Sequence, residues 1–243
     1  MNRLMRAEWY RVRHSSGFMK WLVILCIICV ALPMLEDIEI LHGNLAENLK
    51  GTDTIFLACF LALFSALIVG GAYENKTAYY EVMAGNKIYR IVFSKVFVDA
   101  VLVSVSFFLS LSIYWAMIGV CNGIGEIDRL PLRFFLLFLV FFHVCTAGIL
   151  IVTSTRQIFG AVLVYLRFAG AETLIMLFLQ ESLPEDMWAK IADWFTPLKL
   201  TKILNFEYEI TDHLIFAVIA GLLIESAVWF GISYIGMKKQ IYK

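Results

Sequence analysis

Six apolar runs, at 18–35, 55–73, 96–120, 134–152, 158–179 and 214–236, constrain this chain more than any other feature. Each is long enough to cross a hydrocarbon layer of about 30 Å at about 1.5 Å per helical residue. They show no alternation of apolar and polar residues, so a barrel is excluded. Helices are then the economical way to satisfy their backbone groups in lipid. A hydrophobic content of 61% and a mean hydropathy of +0.80 put the whole chain outside the range of soluble domains. The expected fold is therefore an all-α integral membrane protein, a single domain over 1–243 with six transmembrane helices.

In such a chain the zero net charge matters less than how the charges divide between the two sides. With the N-terminus inside, 13 Lys and Arg residues fall on the cytoplasmic side and six on the other, with Arg167 within a span. This bias places both termini in the cytoplasm. Residues 1–17 read as an amphipathic surface helix, with Met1, Met5, Trp9 and Val12 on one face and Arg3, Arg6 and Arg13 opposite. Glu8 falls near the apolar face and weakens that pattern. A long polar leader with no small-x-small cleavage site makes 18–35 an uncleaved first span. Outside, segment 180–213 holds Ser182 and Glu185 at capping-box spacing, then Pro184 and a helical recurrence of apolar residues that stops at Pro197. It reads as one short interfacial helix, with Trp188 and Trp194 at headgroup level.

Several classes of chemistry are missing from the sequence. It contains no phosphate loop, no H-E-x-x-H, no G-x-S-x-G and no G-x-G-x-x-G. Its four histidines, His14, His42, His143 and His213, fall one per segment, a poor basis for a metal site. Its five cysteines lie in or at the ends of apolar runs, and Cys26 and Cys29 have no second pair to complete a tetrahedral site. The expectation is no enzyme activity, no cofactor and no metal on this chain.

Charges inside spans each need a reason. Arg167 and Glu225 lie at matching depths, about 14 and 17 Å from the cytoplasmic ends of spans five and six by helix rise, so adjacent antiparallel helices can pair them. Glu172, five residues from Arg167, would face another way on an α-helix, about 140° around it. His143 reaches a similar depth in span four, and Asp99 has Lys95 four residues before it as a partner. Asp99, His143, Arg167, Glu172 and Glu225 are thus the candidates for a translocation path or gate. The alternative for the Arg167–Glu225 pair is a structural role in fixing helix register.

The long cytoplasmic connection 73–95 carries Glu74, Thr77, Tyr79, Tyr80, Met83, Gly85, Arg90 and Lys95. Gly85 and Asn86 are a turn signal that breaks a short helix. The order Glu74, Thr77, Gly85, Arg90, Ser94, Lys95 resembles the loop between spans two and three of type 2 ATP-binding-cassette exporter permeases. There an acid and an n-x-T follow span two, and R-x-x-x-S-K opens span three. The six-span layout, the N-terminal surface helix and the outer helix before span six are similar too. The resemblance implies a dimerising permease in the bacterial cytoplasmic membrane. Its 74–95 loop would act as a coupling helix against a separate ATPase subunit that holds ATP and Mg. It also implies a second permease subunit and, from the compact size, export of or immunity to amphipathic peptides such as bacteriocins. Tyr79, Tyr80, Val82 and Met83 supply an apolar docking surface with charged flanks. An ion-coupled secondary transporter and a non-transporting membrane immunity or sensor protein are the alternatives.

Overall fold

The computed structural model describes residues 2–14, 16–31, 43–74, 77–155 and 157–241. Within these, side chains are described except at 2, 16–17, 21, 28–31, 67–74, 77–79, 157–158, 169 and 240–241. His42, Lys76 and Arg156 therefore lie outside the described residues, as do the side chains of Glu74, Thr77 and Tyr79.

Helix is the only regular structure among the described residues. The elements are α1 (Asn2–Arg13), α2 (Ser16–Ala31), α3 (Leu45–Lys50), α4 (Thr54–Glu74), α5 (Thr77–Met83), α6 (Ile88–Asn122), α7 (Leu130–Ser154), α8 (Gln157–Tyr165), a π-turn (Leu166–Ala171), α9 (Glu172–Ser182), α10 (Glu185–Ala192), α11 (Thr196–Leu204) and α12 (Asp212–Ile241). Among the described residues, four helices are long and apolar enough to cross a membrane: α6, α7, the α8–α9 unit from Phe159 to Ser182, and α12. Helix α2 covers 18–31 of the first apolar run and α4 covers the second, with shorter described apolar stretches at Phe18–Ile27 and Thr54–Ala66.

The centre is α7, against which α4, α6, α8 and α12 pack. Its residues from Val144 to Thr153 are all buried. Small residues permit the closest approaches, as expected where lipid removes the hydrophobic drive between helices. A Cβ on Gly148 would lie 2.7 Å from Ser65 Oγ and 2.8 Å from the Ala62 carbonyl oxygen on α4. Ser233 Oγ of α12 donates to the Leu150 carbonyl at 2.6 Å.

Three local expectations are corrected. In α1 the inward face is formed by Glu8 and Val12, both buried against the bundle, whereas Trp9 is exposed. Glu8 turns inward because cationic side chains meet it there, as described below. In the segment after α9 the capping box does not form: Pro184 is the cap residue, and its carbonyl accepts from the Met187 and Trp188 N–H groups at 3.0 and 2.9 Å. Pro197 does not end the helical segment but sits in the first turn of a second helix, α11, where its missing N–H has no intrahelical partner to lose. That helix packs on α7 and α4 with Leu200, Ile203 and Leu204 buried.

Arg133, at the start of α7, fastens α11 in place. Its guanidinium donates to the carbonyls of Lys202, Ile203 and Tyr208 at 3.0, 2.9 and 2.6 Å, a cation at the carbonyl end of a helix.

Candidate functional site

At the end where α6 begins, five charged side chains from three elements form one network. Glu8 of α1 pairs with Arg11 one turn on, and Arg11 Nη2 lies 3.2 Å from Asp99 Oδ2 of α6. Lys95 of α6 lies 3.4 Å from Glu81 Oε1 of α5 and 3.9 Å from Glu8 Oε2. Asp99 therefore pairs with Arg11, 88 positions away in sequence, rather than with Lys95 at i−4 as the spacing predicts. Lys95 is drawn instead to the two glutamates. Burial pushes the Glu81 carboxyl above its usual range, with Lys95 pulling it back and Glu8 adding to the rise.

The network fixes how α5 presents itself. Glu81 is held inward through Lys95, while Tyr80 and Met83 are 68% and 70% exposed. Gly85 follows at φ 84°, a left-handed conformation that suits glycine, and turns the chain into α6 at Ile88. Arg90 lies on the exposed side of α6, where it donates to the Tyr89 hydroxyl at 3.1 Å.

The second cluster lies at mid-depth between α7, the α8–α9 unit and α12. Glu225 of α12 is held by three groups: Arg167 pairs with Oε1, Trp229 Nε1 donates to the same oxygen at 3.1 Å, and His143 Nε2 lies 2.6 Å from Oε2. The Arg167 guanidinium also sits 4.9 Å from the Phe168 ring centre and 5.7 Å from that of Trp229. Arg167 lies on the π-turn, whose wider winding carries the Glu172 N–H back to the Arg167 carbonyl five residues earlier. That winding corrects the expectation that Arg167 and Glu172 diverge by 140°. Glu172 comes close enough to act on Arg167 electrostatically. Its Oε1 accepts the N–H of Thr196 and so joins the π-turn to the start of α11.

The α11 helix also brings in a side chain that sequence reasoning left as an ordinary external charge. Lys199 is 1% exposed, and a Cβ on Gly221 of α12 would lie 2.8 Å from its Nζ. Among the described residues it forms no ion pair or hydrogen bond, and burial lowers its pKa to about 8 despite the opposing pull of Glu172. Arg167 Nε and Glu172 Oε2 are likewise buried without a hydrogen-bond partner. The signal that could have found Lys199 was Pro197 read as a helix start, with Lys199 one turn inward of Thr196.

Beside this cluster, α6, α7 and α12 enclose an apolar cavity of about 430 Å³ lined by Phe93, Phe97, Phe142, Leu222 and Phe230, among others. The described residues hold no group of three His, Cys, Asp or Glu side chains that could bind a metal ion. Cys26 Sγ lies 3.6 Å from Ser110 Oγ, and Cys59 and Cys145 are buried free thiols.

No protein-family model, no curated protein and no solved structure matches this chain.

Proposed function

We propose that this chain is the transmembrane subunit of an ATP-binding-cassette exporter, with ATP and Mg held by a separate ATPase that docks on α5. One observation carries the proposal. The short helix α5 stands between two apolar helices and turns Tyr80 and Met83 outward, while Glu81 ties it through Lys95 to α1 and α6. Exposed apolar side chains on a rigidly tethered helix outside the spans suit an interface core with a charged rim. A push on α5 would then reach α1 and α6 together.

In this scheme α2 and α4 join the four longer helices to make six spans with both termini in the cytoplasm, in a bacterial cytoplasmic membrane. A second permease subunit would cover α8–α9 and α12, the least buried of the candidate spans. Arg167 and Glu225 support this, since each side chain is 23% exposed at a depth where a charge needs protein or water around it. The subunits would move as rigid bodies to alternate access. The apolar cavity suits an amphipathic cargo such as a peptide.

Co-purification tests the docking. A nucleotide-binding ATPase should accompany the chain from native membranes and be lost when Tyr80 and Met83 are replaced by Ala. Retention of the ATPase by that double variant contradicts the proposal. A second reading, ion-coupled transport, is favoured by the open polar groups of Arg167, Glu172 and Lys199 inside the bundle. Transport that persists in cells lacking every partner ATPase would select it.

A further inference from the structure

At the opposite end from α5, the start of α4, the adjacent α3 and the end of α6 enclose a cavity of about 560 Å³. This is the size of a small-ligand site. Its lining has two chemistries. Phe56 of α4 with Tyr114 of α6 gives it aromatic surface, while Glu47 of α3 and Asp53 give it two carboxylates.

Both carboxylates are held in position by backbone. Glu47 Oε2 accepts the Asn44 N–H at 3.1 Å as half of the capping box of α3. Asp53 Oδ1 accepts the N–H groups of Ile55 and Phe56 at 3.0 and 2.9 Å at the start of α4. Each acid has a second oxygen that these caps do not use. Among the described residues no cationic side chain forms an ion pair with either acid, and nearby Lys50 pairs instead with Glu207. Negative charge beside aromatic faces attracts a cation both directly and through the ring quadrupoles. A hard metal ion is the poorer fit, because it requires six or more oxygen ligands and much of this lining is hydrocarbon.

We propose that this cavity binds an ammonium or guanidinium group carried on an apolar body. Such a ligand places its charge between Glu47 and Asp53 and its body against the rings. The proposal requires neither the ATPase nor transport, so it stands or falls separately from the function given above.

The probe is dansylcholine, a fluorescent quaternary ammonium, titrated into the purified full chain in nanodiscs of zwitterionic lipid, with dansylamide as the uncharged control. Saturable enhancement above that of empty nanodiscs is expected for dansylcholine alone. The variant Glu47→Gln/Asp53→Asn keeps the cap-accepting oxygens, so α3 and α4 still start correctly, and it should weaken binding about tenfold or more. Glu181→Gln, which removes an exposed acid of α9 outside this lining, should leave binding unchanged. No saturable signal, equal binding of dansylamide, undiminished binding by the double variant, or an equal loss in Glu181→Gln each overturns the proposal.

Discussion

The charge cluster at the start of α6 and the one at mid-depth are paired to different degrees. In the network of Glu8, Arg11, Glu81, Lys95 and Asp99 every charged side chain has an opposite charge within 4 Å. At mid-depth, Glu225 collects three partners, while Lys199 and Glu172 form no ion pair among the described residues and Arg167 Nε has no acceptor. Ion pairing across α1, α5 and α6 makes one unit of three elements, although Glu81 Oε2 is itself buried without a hydrogen-bond partner. Open groups in low dielectric cost about 1–3 kcal/mol each, so a cluster that keeps them has something to gain from rearranging. The first cluster is suited to transmitting a displacement and the second to responding to one.

The largest effect should come from breaking the saturated part of the mid-depth cluster. Glu225→Leu leaves Arg167 and His143 without their carboxylate and should destabilise the protein by about 3–5 kcal/mol, read as a lower unfolding midpoint in detergent. The double variant Arg167→Leu/Glu225→Leu should recover most of that loss. Additive losses would mean that the pair is not a unit.

Lys95→Met comes next. It removes the shared partner of Glu8 and Glu81 at about 1–3 kcal/mol, and hydrogen exchange in α5 should rise with it. Unchanged exchange in α5 would separate that helix from the network.

A smaller effect distinguishes the open group. Lys199 has its pKa lowered from 10.5 to about 8, chiefly by burial. The fold therefore prefers the neutral amine, and between about pH 8 and 10.5 the unfolded chain binds a proton that the folded chain has released. Stability should rise with pH across that window, and Lys199→Met should flatten the rise. A flat profile in the unmodified protein would show the ammonium to be solvated.

The smallest effect on stability, within about 0.5 kcal/mol, is expected for Tyr80→Ala/Met83→Ala, since these side chains are exposed. A larger loss would mean that they pack within the chain.

The helical class and the apolar runs were legible in the sequence because lipid leaves the backbone few alternatives. So was the chance that Arg167 and Glu225 share a depth, since rise per residue is fixed. What could not be read were features set by contact. Glu8 looked like a flaw in an apolar face until Lys95 and Arg11 met it there. Asp99 chose Arg11 over its helical neighbour because two glutamates claim Lys95. The π-turn that redirects Glu172 has no signature in the LRFAGA sequence, and Pro197 is compatible with both an ending and a beginning.

Labelling of a cysteine placed at Met83, in a Cys121→Ser background, tests most directly whether α5 is a cytoplasmic surface covered by an ATPase. A membrane-impermeant maleimide should label Met83→Cys in inside-out vesicles and not in intact cells, and labelling should fall when the partner ATPase is co-expressed. Labelling from outside the cell, or labelling indifferent to the ATPase, would contradict the account.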